Sequence, residues 1–106
     1  MKKTKTGKAQ SAVISRADSY QDAITRHLSK IPQIDAVFLL TDDTNVVHVF
    51  SVVREFQSTI YNKLLKKEGV IEKKFREIAF EFHVRAHQGR KPAEAVPFEA
   101  ELVYRR

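Results

Sequence analysis

Two apolar segments of eight residues each, separated by four turn-forming residues, constrain the fold most strongly. The first segment is IDAVFLLT (residues 34–41), the second is VVHVFSVV (residues 46–53), and DDTN lies between them. β-Branched and aromatic residues favour strands, whereas Asp and Asn favour turns. The pattern predicts two strands, most simply an antiparallel hairpin. Because both segments are apolar almost throughout, we expect central strands, covered on both faces or on one face and by a partner.

A helical period lies on each side of this hairpin. Apolar residues three or four positions apart run from Val13 to Ile31 and predict an amphipathic helix. Pro32 follows and stops that helix, because its ring cannot continue the hydrogen-bond ladder. A second apolar stripe predicts helical structure from about Arg54 to Arg76. Gly69 lies inside it, which leaves open one bent helix or two pieces.

The segment from Ile78 to His87 alternates between apolar and polar residues, which predicts a strand with one buried face. Its polar positions are Glu81, His83, Arg85 and His87. Residues 98–104 (FEAELVY) also begin to alternate. They predict either a fourth strand at the sheet edge or a docking segment for another subunit.

The order helix, strand, strand, helix, strand predicts an α+β fold, with a small mixed sheet of three to four strands and two helices mainly on one face. We divide the chain into a disordered basic tail (residues 1–10), a single α/β domain (residues 11–88) and a C-terminal polar link with a candidate edge strand (residues 89–106). Two helices leave one sheet face incompletely covered. We therefore expect a homo-oligomer, most simply a homodimer, or another protein partner.

The composition excludes several classes of protein. A chain of 106 residues with 42% hydrophobic residues is expected to form one domain. It has no cysteine, which excludes disulfides and zinc sites with thiolate ligands. The absence of a long apolar run and of a signal-peptide pattern predicts a cytoplasmic protein with no membrane partner.

The net charge of +6 lies at the two ends of the chain. Arg105 and Arg106 supply two of the excess charges, and the N-terminal arm supplies four. The residues of that arm are Lys2, Lys3, Lys5 and Lys8. A terminal lysine run of this kind is usually a solvated tail. The alternative is weak, sequence-independent nucleic-acid binding through these lysines, which salt would abolish.

The candidate catalytic residues are His48, Glu81, His83 and Arg85. In an acid–base mechanism His48 or His83 would move a proton, Glu81 would orient an imidazole, and Arg85 would hold an anion or phosphate. The competing interpretation is an exposed sheet face that is polar because water or a partner touches it. We assign no catalytic residue from the sequence alone.

Asp42, Asp43 and His87 are candidate ligand-binding residues. Positions four apart on a strand are separated by roughly 13 Å, so His83 and His87 cannot share one metal ion. A metal site would need His48, or a carboxylate such as Asp42 or Asp43, brought alongside. No tight ligand spacing such as HxxxH is present, so we predict no metal site and no cofactor.

The layout over about residues 12–88 resembles the minimal nucleotidyltransferase core. In that family the first strand runs into a Gly-Ser motif, and the second carries an Asp-x-Asp pair that binds the metal of the nucleotide. Here Thr41-Asp42-Asp43-Thr44 and His48-Val49-Phe50 stand at those places, with Glu81 or His83 in the region of a further carboxylate. The resemblance implies a catalytically degenerate relative, because little remains to hold two magnesium ions.

The sequence therefore favours a small binding or interaction module without catalytic activity. The first alternative is an enzyme acting on a nucleotide or another phosphorylated substrate. The second is nonspecific nucleic-acid binding by the N-terminal arm. Sequence signatures of phosphate loops and of serine or cysteine nucleophiles are missing.

Overall fold

A computed structural model describes residues 20–106 and confirms the predicted α+β fold and order of elements. The chain is helical from residue 20 to residue 28, which we call α1. The elements that follow are β1 (Ile34–Thr41), β2 (Val46–Val53), α2 (Ser58–Lys74), β3 (Ala79–Ala86), a short 3-10 turn (Pro92–Ala95) and β4 (Glu101–Arg105).

The predicted hairpin is confirmed, because β1 and β2 pair antiparallel across the four-residue turn. Asp42 stabilises that turn. Its Oδ1 accepts hydrogen bonds from the Thr44 backbone N–H (2.9 Å), the Thr44 hydroxyl (2.7 Å) and the Val46 N–H (3.1 Å). Asn45 has a φ of 67°, in the left-handed region that Asn tolerates better than most residues.

The four strands form one mixed sheet in the order β3-β2-β1-β4. β3 lies parallel to β2 after the α2 connection, and β4 lies antiparallel to β1 at the other edge. The C-terminal segment is therefore an edge strand of its own chain. An irregularity in its pairing, between Val37 and Phe38, breaks the simple alternation, and the neighbouring side chains Val103 and Tyr104 both pack against the main core.

The main core lies between the two helices and one face of the sheet. The helices and the turns that follow them contribute eight buried side chains to it: Ala23, Ile24, Leu28, Ile31, Ile60, Leu64, Ile71 and Phe75. Phe80, Phe82 and Val84 of β3 pack against the same core, as their alternation predicts. α2 is one continuous helix through Gly69.

The opposite sheet face carries a smaller apolar cluster formed by Ala36, Phe38, Phe50 and Val52. Ala95, Val96 and Ala100 from the C-terminal link pack against it. The chain itself therefore covers part of the face for which a partner was expected. The homodimer stays a prediction. The rest of this face, near the start of β2 and β3, carries polar side chains.

Some predictions lie outside the described residues. These are the basic tail, the start of the first helix and the four lysines of the N-terminal arm. Within the described part, α1 ends at residue 28, and Ile31 N–H donates to the Leu28 carbonyl in a tighter final turn before Pro32. Neither helix of residues 20–106 has the combination of length and apolar composition needed to cross a membrane.

Candidate metal centre

The parallel register of β2 and β3 assembles a cluster of ionisable side chains on the second sheet face. His48 lies opposite Glu81, and Phe50 lies opposite His83. Directly paired residues of neighbouring strands project to the same side of a sheet. The register therefore brings two imidazoles and one carboxylate together from two strands.

The ligand atoms of this cluster are close to one another. His48 Nδ1 lies 3.0 Å from His83 Nε2. Glu81 Oε1 lies 3.9 Å from His48 Nδ1 and 3.7 Å from His83 Nε2. Three potential metal-ligand atoms thus lie within 4.8 Å of one another.

Asp42 determines which nitrogen of His48 carries a proton. Its Oδ2 lies 2.8 Å from His48 Nε2. Hydrogen bonds from His48, Thr44 and the Val46 backbone hold the pKa of the Asp42 carboxyl well below its usual range, so this carboxylate is ionised and accepts. His48 Nε2–H is therefore the donor. In the neutral ring, the lone pair of Nδ1 then points toward His83 and Glu81.

The ring of Phe50 stacks against both imidazoles. Its ring stacks on His83 with centroids 4.7 Å apart and on His48 with centroids 6.4 Å apart. Because Phe50 is itself buried, it limits the rotation of both histidines. Burial lowers the pKa of His83 and the charge of Arg85 lowers it further, while the charge of Glu81 opposes both effects. The pKa is lowered overall, which favours the neutral ring that binds metal ions.

The candidate residues named from the sequence fall into separate groups. His48, Glu81 and His83 form the cluster, and Asp42 contacts it through His48. Arg85 lies next along the same face, with its guanidinium carbon 5.4 Å from the Phe50 ring centroid.

Two further candidates lie apart from the cluster. Asp43 is exposed on the hairpin turn. His87 follows the far end of β3, is buried, and bonds to Asp35 at 2.6 Å. This separation agrees with the distance argument that kept His83 and His87 off one metal ion.

The sequence singles out each of these side chains but does not predict a metal site. Such a site requires that His48 or a carboxylate lies next to the third strand. The structure meets that condition with His48 and Asp42. The register of β2 against β3 was the missing information, and the Phe50 contact depends on the same register.

Comparison with known proteins does not place the chain in a family. No protein-family model matches it, and a search of curated proteins finds no significant match. The geometry of the cluster is thus the main evidence for function. The nucleotidyltransferase resemblance and the nucleic-acid hypothesis stay predictions.

Proposed function

We propose that this protein is a small metal-binding module that holds one divalent transition-metal ion, of which zinc is the best fit. The protein ligands are His48 Nδ1, His83 Nε2 and the carboxylate of Glu81. The proposal keeps the class of binding module that the sequence favours and assigns it a ligand.

The spacing of the two imidazole nitrogens carries the proposal. Zinc–nitrogen bonds are about 2.0–2.1 Å long, so two nitrogens on one ion at bond angles of roughly 90–110° are separated by about 2.9–3.4 Å. His48 Nδ1 and His83 Nε2 are 3.0 Å apart. Without an ion, the same contact is an N–H···N hydrogen bond in which His83 Nε2–H donates to His48 Nδ1. Metal binding would move that proton to Nδ1 of His83 and turn both rings so that their lone pairs meet at the ion.

Glu81 supplies the third ligand by a small motion. Its side chain is 62% exposed, so its rotamers are free to bring Oε1 a few tenths of an ångström closer to the two nitrogens. The histidine side chains are only 18% and 21% exposed and are held by Phe50. The site thus combines two fixed ligands with one adaptable ligand.

The donor set selects the kind of metal. Magnesium and calcium prefer oxygen ligands, whereas imidazole suits zinc and its neighbours in the first transition row. Two histidines and one glutamate form a donor set that zinc takes in proteins. Asp42 then acts behind His48, because a carboxylate on the other ring nitrogen fixes the tautomer and raises the basicity of the ligand.

Metal titration tests the proposal. The full chain, purified without metal, is titrated with Zn²⁺ by calorimetry and with Co²⁺ by visible absorption. We expect one ion per chain and cobalt d–d bands typical of nitrogen and oxygen ligands. His83→Gln removes a ligand and should weaken binding by more than the roughly 10- to 100-fold typical of losing a carboxylate behind a ligand.

His27→Gln is the matched control. His27 is also a half-buried histidine, but it lies on α1, and that helix packs on the other face of the sheet. This variant should bind both ions like the unmodified protein. Equal affinity of the unmodified protein and His83→Gln would refute the proposed site, as would a loss caused by His27→Gln.

A further inference from the structure

The proposed metal ion would have room for a ligand from solution. His48, Glu81 and His83 supply three ligands, and zinc commonly takes a fourth. Glu81 is mostly exposed, so the cluster opens to solvent on its side. A water molecule or an anion can therefore complete the coordination.

Arg85 places a positive charge on the same sheet face as the cluster. It follows His83 by two residues on β3, so both side chains project to the same sheet face. Its guanidinium lies over the Phe50 ring, at 5.4 Å from the centroid, while His83 stacks on the same ring at 4.7 Å. Arg85 and the metal-binding imidazole thus contact the same buried ring.

Arg85 has no carboxylate partner within the part of the chain that the structure describes. None of the ion pairs found among residues 20–106 includes it. It is nevertheless half-buried and lies two residues from His83 on the same strand. An arginine that is stacked in place and lacks a protein counter-ion is well suited to hold an anion.

From these contacts we infer that the metal ion and Arg85 together bind a phosphate monoester. This inference rests on the proposed metal site and names the ligand class for it. One phosphoryl oxygen binds the ion at its open position, and the other two accept the forked N–H groups of Arg85. A monoester offers three terminal oxygens for these three contacts, whereas a carboxylate offers two.

Charge supports the same ligand. A phosphate monoester carries a charge of about −1.5 to −2 at pH 7. The divalent ion and Arg85 outweigh the carboxylates of Glu81 and Asp42, so the loaded site keeps a net positive charge. Its lining thus attracts a compact dianion.

Cobalt spectroscopy tests the inference. The full chain loaded with one equivalent of Co²⁺ is titrated with methyl phosphate, and with acetate at matched ionic strength. We expect methyl phosphate to shift the d–d bands saturably and acetate to do so only at much higher concentration. Arg85→Gln should keep the cobalt spectrum and bind methyl phosphate about 10- to 100-fold more weakly, the effect of losing a charge-assisted hydrogen-bonded pair.

Two further variants serve as controls for the role of Arg85. Arg85→Lys keeps the charge but not the fork, and should fall between the unmodified protein and Arg85→Gln. Arg90→Gln removes an exposed arginine beyond the far end of β3 and should leave the methyl phosphate response unchanged.

The possible failures are distinguishable. If Co²⁺ binds but methyl phosphate shifts nothing, the ligand class is wrong and the metal site stands. The ligand class is equally wrong if Arg85→Gln responds like the unmodified protein. If Co²⁺ does not bind at all, the metal site and the inference built on it both fail.

Discussion

This protein has two aspartate–histidine pairs of nearly the same geometry. They differ in whether the second ring nitrogen of the histidine is free to bind a metal ion. Asp42 bonds to His48 Nε2 at 2.8 Å, and Asp35 bonds to His87 Nε2 at 2.6 Å. The backbone N–H of Gly89 donates to the second nitrogen of His87 at 3.0 Å, so both of its ring nitrogens are occupied. The second nitrogen of His48 instead faces another imidazole and a carboxylate.

An aspartate bonded to one ring nitrogen therefore does not by itself make a histidine a metal ligand. The same carboxylate contact serves a structural purpose where the backbone takes the remaining nitrogen. His87 is 8% exposed, and its backbone N–H donates to the Val53 carbonyl at the end of β2. Its bond to Asp35 therefore ties the end of β3 to the start of β1 across the sheet.

Asp42, which bonds to His48, should have the strongest influence on binding at the proposed metal site. Three donors at Asp42 Oδ1 would fix the amide of Asp42→Asn with its oxygen toward the turn and its NH₂ toward His48. His48 Nε2 would then accept, and the proton would move to Nδ1, where the metal should bind. We expect Zn²⁺ affinity, measured by calorimetry, to fall about 10- to 100-fold.

Asp35→Asn is the counterpart in the other pair and should leave Zn²⁺ affinity unchanged. Unaltered affinity in Asp42→Asn would mean that His48 Nδ1 is not a ligand. A loss in Asp35→Asn would remove the distinction between the two pairs.

For stability we expect a smaller effect, and here the pair of His87 and Asp35 should matter more than the pair of His48 and Asp42. His87→Ala removes a buried side chain with both ring nitrogens bonded, and should lower the metal-free unfolding free energy by about 1–2 kcal/mol. His48→Ala removes a half-buried ring whose partner Asp42 water can reach, and should cost less. Urea unfolding of both variants measures this, and a larger loss in His48→Ala would contradict the structural role given to His87.

The weakest effect is expected at Glu68, which is a member of neither pair. Its titration should make the stability of the protein depend on pH. Burial, with a contribution from the charge of Glu72, raises the pKa of Glu68 to about 7, from an ordinary value of 4.5. The folded protein then holds a proton that the unfolded chain has lost, so stability falls as the pH rises from 4.5 to 7.

Glu68→Gln should remove that fall. The variant should match the unmodified protein at pH 4.5 and exceed it at pH 7. The same pKa change would give a fully buried carboxyl about 3 kcal/mol, and partial exposure of Glu68 should reduce the difference to about 1 kcal/mol or less. Urea unfolding at both pH values tests this, with the exposed Glu99→Gln as control. Parallel profiles for Glu68→Gln and the unmodified protein would show that Glu68 titrates normally.

Local sequence patterns were sufficient to predict most of the fold. The two apolar segments match β1 and β2 residue for residue, because the polar turn between them leaves no other boundary. The alternation from Ile78 to His87 predicted β3 within one residue at each end. The C-terminal segment was ambiguous, since the sequence cannot show whether an edge strand pairs within its own chain.

The site was predictable only in part. Period-two alternation placed Glu81, His83 and Arg85 on one polar face of β3. It could not place His48, because β2 is apolar on both sides of it and either face was plausible. Which residues meet across two parallel strands depends on a register that the α2 connection sets over a long stretch of chain, and no local pattern encodes it.

The parallel pairing of β2 and β3 would also link the proposed metal binding to folding. His48 and His83 are 35 positions apart in the chain, so an unfolded chain does not hold them together. An ion bound by both stabilises only the folded state, and each tenfold rise of free ion above its dissociation constant adds about 1.4 kcal/mol. With such an ion bound, the amount of folded protein would track metal availability, and the melting temperature would report it.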